Sequence, residues 1–170
     1  MQTLIVHAHP EAQSFTAALR DQAVTTLQAQ GHEVQVSDLY AMNWNPVASA
    51  ADFTSRENPE YLVYALEQRL GVKSQSIAPD IQAELDKLLW ADLLILNFPL
   101  YWCSLPAMLK GWIDRVWNHG WAYGDRKLPH RKALFLGVAD SRQELLHGAL
   151  GDEGDRLALL KRAKDLGRSF

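Results

Sequence analysis

The chain has 170 residues, 48% of them hydrophobic and 22% charged, which is the size and make-up of one globular domain, residues 1–170, with a sizeable core. A formal net charge of -3 without any long Lys/Arg run excludes the electrostatic footprint of a nucleic-acid or anionic-membrane partner. The one cysteine, Cys103, excludes an intrachain disulfide, and no apolar run approaches the roughly 20 residues that cross a bilayer. Met1 leads straight into TLIVHA with no charged n-region or cleavable apolar segment, so the expectation is a soluble cytoplasmic protein without membrane insertion.

The first run, TLIVHAH, is short, mostly apolar and ends in polar residues, as a strand buried on both faces does. SFTAALRDQAVTTLQAQG then sets Ala18, Leu19, Ala23, Thr26 and Leu27 along one helical stripe, with Ser14 placed to cap its start and Gly31 to end it. HEVQVSDLY alternates as a strand, Val34 and Val36 on one face. Between Tyr40 and Ile77 the pattern lapses into a long segment that includes NWNPVASAADFTSRENPEY, with turn-forming Asn and Pro and exposed-looking aromatics. A connection of that length is a functional loop, a subunit contact or disorder. DIQAELDKLLW resumes a helical period through Ile81, Leu85, Leu88 and Leu89; ADLLILNF is a third strand, LPAMLKGWIDRVW a third helix and KALFLGV a fourth strand. Strands alternating with helices predict an α/β fold with a doubly wound parallel sheet.

In such sheets ligands lie beyond the carboxyl ends of the strands, where the strand order reverses. The loops AHPEAQSF and FPLYWCS occupy that edge. The first puts His9 and Ser14 beside a helix start, where free N–H groups and the positive end of the dipole favour phosphate; having no glycine, it is neither a P-loop nor a GxGxxG turn. The second carries Tyr101 and Trp102 side by side where the chain should be wet, although on pattern alone an aromatic pair after a strand is more often core or subunit interface than the wall of a flat ligand. Cys103 has no charged or histidine neighbour to lower its pKa and reads as a small buried filler. His7 reads as a hydrogen-bonded core residue, and a metal site on His7 and His9 lacks any supporting Cys or carboxylate cluster. Lys110 and Asp114, one helical turn apart, read as a solvated surface pair.

HAHPEAQSF, SDLYAMNWNP, APDIQAELDKLLWADLLILNFPLYW and LPAMLKGWIDRVWNHGWAYG together closely resemble the NAD(P)H:quinone oxidoreductase family. These are the flavodoxin-like DT-diaphorases and their bacterial relatives, the ancillary subunits of potassium-efflux systems included. The resemblance runs from about Thr3 to Gly124 and implies a flavodoxin-like sheet with helices on both faces. It also implies a flavin, usually FAD and in some bacterial members FMN, with NAD(P)H as co-substrate. Pro99, Leu100, Tyr101 and Trp102 would contact the isoalloxazine, while His9, Ser14, Phe15 and Thr16 would hold the phosphate-ribitol arm. Tyr123 matches an aromatic bordering the substrate pocket, and Asp114 matches an acidic position near the cofactor arm.

After Gly124 the likeness weakens, and residues 125–170 diverge. Val138 and Ala139 stand near the place of a Gly-Gly pair that gives close backbone approach to the flavin, and His147 is the one histidine left to stand in for a catalytic His. GDRLALLKRAKDLGRSF looks helical where the family continues to a fifth strand, so the expectation is a fifth strand missing or replaced, leaving the fourth as an edge. The resemblance implies a homodimeric flavoprotein in which NAD(P)H and then a quinone, or another small flat electrophile, take turns at the flavin. Trp44, Phe53 and Tyr61, more apolar surface than a small monomer covers, point the same way. The alternatives are an ancillary-like regulatory or interaction protein that has lost turnover and, more distantly, a flavodoxin-like electron carrier.

Overall fold

The computed structural model describes residues 1–102, 104–118 and 132–138. The readings made on Cys103, Tyr123, Ala139 and His147, and on a fifth strand, fall outside the described residues. Within them the strands are β1 (Gln2–His7), β2 (Glu33–Asp38), β3 (Leu93–Pro99) and β4 (Lys132–Val138), and the α-helices are α1 (Phe15–Ala29), α2 (Tyr64–Ser74), α3 (Pro79–Trp90) and α4 (Ala107–Val116).

The strands form a parallel sheet in the order β2-β1-β3-β4. β3 lies between β1 and β4 and is buried at every position, which is why LLILNFP shows no alternation. β2 is an edge: Val34 and Val36 do share a face, paired with Thr3 and Ile5, but Val36 stays 38% exposed. On one face of the sheet Leu4, Val6, Leu94, Leu96 and Phe98 pack on Ile81, Leu85 and Leu88 of α3 and on Leu109 and Trp112 of α4. On the other, Ile5, Leu93 and Ile95 meet Ala23 and Leu27 of α1.

Helix α1 starts where expected, because Ser14 Oγ accepts the Ala17 N–H at 3.1 Å, and it ends at Gly31, whose φ of 79° is the left-handed conformation that glycine adopts without strain. Its sheet-facing stripe is Thr16, Leu19, Ala23 and Leu27. Ala18, expected on that stripe, is exposed, since each residue turns the helix by about 100° and carries it off the line.

The Tyr40–Ile77 segment departs most from expectation. It holds a short 3-10 turn at Ala50–Asp52, capped reciprocally by Ser49 and Asp52, and the whole of α2. Trp44 and Phe53, expected on the surface, are 5% and 7% exposed because they complete the α3–α4 core; Tyr61 is exposed. The segment is pinned by Arg115 of α4, which donates to Asp52 Oδ1 at 3.0 Å and Oδ2 at 3.2 Å, to Asp80 at 2.9 Å and to the Asn45 carbonyl at 2.8 Å. Its guanidinium also lies 4.6 Å from the Trp44 ring centroid. Burial by itself lowers the Arg115 pKa, but Asp52 and Asp80 more than offset it and the net shift is upward. Tyr64 donates to Asp52 Oδ2 at 2.5 Å, and burial together with that bond pushes its phenol well above the usual range. Gly111 of α4 lets the segment pass close, since a Cβ there would sit 2.1 Å from the Pro46 carbonyl oxygen. Among the described residues no helix is long and apolar enough to cross a membrane.

Candidate functional site

Chain progress reverses between β1 and β3: β1 to β2 runs toward one edge and β3 to β4 toward the other. The loops leaving β1 and β3 therefore diverge from neighbouring strand ends and open a crevice between them. Ladder bonds persist to its brink, from the Ala8 N–H to the Asn97 carbonyl at 3.0 Å and from the Leu100 N–H to the Val138 carbonyl at 2.7 Å.

On the β1 side the loop folds on itself. His9 Nδ1 lies 3.0 Å from the Glu11 amide nitrogen and 3.1 Å from its carbonyl oxygen, so the backbone occupies Nδ1 and leaves Nε2 for another partner. The Gln13 N–H donates to the Glu11 carboxylate at 2.8 Å and the Ser14 N–H to the Glu11 carbonyl at 3.2 Å, which sets Ser14 at the helix start. No acidic side chain occupies the first turn of α1 itself, and the Glu11 carboxylate just before it is held on the Gln13 N–H. His9, Ser14, Phe15 and Thr16 are thus gathered at one helix terminus.

On the β3 side Tyr101 and Ser104 exchange both backbone hydrogen bonds, at 3.1 and 3.0 Å, closing a tight turn. Trp102 sits inside it with φ 49°, left-handed for a non-glycine residue, and its side chain is fully exposed. Leu100 and Tyr101 are 40% and 45% exposed, so the three make an apolar shelf, while Pro99 is buried in the ladder. The loop does not leave all its N–H groups to a ligand: Leu100 and Tyr101 spend theirs on Val138 and Ser104. Of the shelf's three N–H groups, that of Trp102 is the one without a backbone partner among the described residues. The Lys110–Asp114 pair lies on the exposed side of α4, as a solvated surface pair does.

Two neighbours of the crevice escaped the sequence reading. Tyr40 follows β2 at the same edge, and its phenol is pushed up by burial and then by the charge of Tyr101. Asn97, a polar residue inside an apolar strand, meets His7 in the floor. Only the interruption of LLILNF marked it. Val138 ends β4 against Pro99, bringing a third segment to the edge.

A family model described as the flavodoxin-like fold matches residues 1–154. The chain belongs to that family. Among flavodoxin-like relatives, it is 42% identical over 160 residues to the ribosyldihydronicotinamide dehydrogenase (quinone) of Pongo abelii, with 91% of this chain and 69% of that one covered. It is 39% identical over 165 residues to NAD(P)H dehydrogenase (quinone) 1 of Cavia porcellus, with 94% and 60% covered, so it spans only part of these relatives' length. Among flavodoxin-like solved structures, the NAD(P)H:quinone oxidoreductase from Methanothermobacter marburgensis matches with a TM-score of 0.80 at 28% identity, over 99% of this chain and 95% of that one.

Proposed function

We infer that the chain binds a flavin in the crevice and reduces quinones, or similar flat electrophiles, with NAD(P)H. The observation that carries this reading is the Leu100–Tyr101–Trp102 shelf, an exposed apolar surface on a strained turn that leaves the strand next to the one leading into the α1 start. An indole held fully in water gains nothing in the free protein and suits a partner with a large flat face. The residues fit a flavin: the shelf takes the ring, the Trp102 N–H offers a donor to its polar edge, and His9 Nε2 with the first turn of α1 takes the phosphate arm. The flavin, when bound, supplies the hydride chemistry that links NAD(P)H to quinone.

The chain's own residues bind, orient and keep one face clear. Tyr101 and Trp102 wall one side of the ring, leaving the other for nicotinamide and then quinone. His9 and Ser14 fix the arm at the helix terminus, and Phe15 and Thr16 follow them in its first turn. Val138 holds the Leu100 end of the shelf through its carbonyl. FAD is the expected flavin, with FMN the other candidate, and the protein is expected to work as a cytoplasmic homodimer.

The visible spectrum of the purified protein, with mass analysis of any released flavin and menadione-dependent NAD(P)H oxidation, tests the reading. A flavin spectrum with turnover supports it. Bound flavin without turnover points to an interaction protein on the same scaffold, and no binding of FAD or FMN at tens of micromolar sinks it.

A further inference from the structure

His7 and Asn97 face each other across β1 and β3, in the last paired row of those strands before the crevice loops leave them. That row runs Asp38, His7, Asn97 and Leu136 across the sheet, on the face that α1 covers. His7 is 1% exposed and Asn97 fully buried, and His7 Nδ1 lies 2.5 Å from Asn97 Oδ1. The Asn97 amide nitrogen donates to the Leu136 carbonyl at 3.4 Å, which turns its Oδ1 toward His7. A carboxamide oxygen only accepts, so the imidazole proton sits on Nδ1. Nε2 is then a bare lone pair, buried and without a hydrogen-bond partner among the described residues.

The surroundings keep it that way. Burial is the largest influence on His7 and lowers its pKa; the Asn97 bond and Asp38 pull upward, and Arg20 and His9 add to the lowering. Among the described residues these are the groups that face it: Arg20 from α1, itself bonded to Asp38 and Asp21, Asp38 on β2, His9 in the loop and the neutral Asn97 on β3. None of them accepts a hydrogen bond from Nε2. A second proton would therefore place a charge and an unpaired N–H in a dry site. The accessible relief is to swing the ring toward water, which breaks the bond to Asn97.

We propose that the His7–Asn97 bond is a proton-sensitive clasp: with His7 neutral it fixes the ends of β1 and β3, and with them the spacing of the two crevice loops, and protonation of Nε2 opens it. His7 is on this account a positioning residue, and the proposal rests on the flavin reading for its ligand. The closed state refuses a proton that the open state takes near the ordinary histidine pKa of about 6.5. Flavin affinity and stability are therefore intact above that pH and fall below it, affinity by up to about tenfold per pH unit.

The experiment titrates the flavin-free protein with FAD and FMN from pH 7.5 to 5.0, alongside His7→Gln, which keeps an N–H for Asn97 but does not titrate. Nitrogen NMR of the wild type follows His7 over the same range. The expected result is a wild-type Kd that is level above the His7 pKa read by NMR and rises below it with a slope of up to about tenfold per pH unit, a profile flat within a factor of about two in His7→Gln, and a His7 pKa below 6.5 with the proton on Nδ1. Asn97→Asp, whose carboxylate pairs with an imidazolium inside the closed clasp, should weaken the acid limb or move it to lower pH. An acid limb equally steep in His7→Gln, a flat wild-type profile, or an Nε2 that carries the neutral proton overturns the clasp. If His7→Gln does not fold, the NMR titration of the wild type decides. If no flavin binds even at pH 7.5, the flavin reading falls by itself, and the clasp stands or falls on the NMR pKa and on whether the melting temperature drops more steeply below pH 6.5 in wild type than in His7→Gln.

Discussion

Trp102 combines a left-handed backbone with an indole wholly in solvent. That conformation costs a non-glycine residue on the order of 1 kcal/mol, and no packing in the free protein offsets it. Trp102→Gly is therefore expected to stabilise the flavin-free protein by about 1 kcal/mol, read as a higher urea midpoint, while weakening flavin binding about tenfold. A variant that loses stability as well would show that the indole packs on its own chain. The sequence showed that an aromatic stood in a wet loop, but nothing in the letters YWCS tells which residue carries the positive φ. The same holds for His7. Its place inside TLIVHA marked it as a bonded core residue, whereas Asn97, its partner 90 residues away, was legible only as a polar letter in an apolar run.

At the scale of elements, the Tyr40–Ile77 segment is held by charge and close approach as much as by apolar packing. Arg115→Met leaves the Asp52 carboxylate, 2% exposed, without its cation, and a broken buried pair typically costs about 3–5 kcal/mol. Adding Asp52→Asn should recover part of the loss, so the double variant should denature at a higher urea concentration than Arg115→Met alone. Gly111→Ala drives a methyl into the Pro46 backbone, which cannot swing aside, whereas Gly71→Ala meets the end of the Ile77 side chain at 2.8 Å. The expected order is a loss of about 3 kcal/mol for Gly111→Ala and about 1 for Gly71→Ala, measured by chemical denaturation. These elements also show why the sequence reading stopped where it did. Helices α1, α3 and α4 announce themselves because each buries a stripe that is mostly apolar, and β1 and β3 because both their faces are covered. Helix α2 hides because its buried residues are Glu67, Gln68 and Gly71, while Leu66 points outward. An apolar stripe cannot be found on a helix that buries its polar side. Glu67 goes inward because its carboxylate accepts the N–H groups of Glu57 and Asn58 at 3.0 and 3.1 Å, contacts that no period announces.

For the whole molecule, burial of Trp44 and Phe53 removes two of the three aromatics that argued for a partner chain and leaves Tyr61, 69% exposed, beside exposed Leu62, Val63 and Leu66. A homodimer that covers this patch is the expectation, with Tyr61→Glu/Leu66→Glu shifting the mass from dimer to monomer in light scattering. A wild-type monomer at micromolar concentration would refute it. The strand order has a further consequence, for how the chain comes into being. β1 can pair with β2 once about forty residues have been made, but its other edge waits for β3, whose Thr3-to-Leu93 pairing closes a far longer loop. At a synthesis rate of about 5–20 residues per second, the segment between them takes roughly 3–12 s to emerge. Throughout that interval the newborn chain offers one open, apolar strand edge to its neighbours on the polysome, and the crevice does not yet exist.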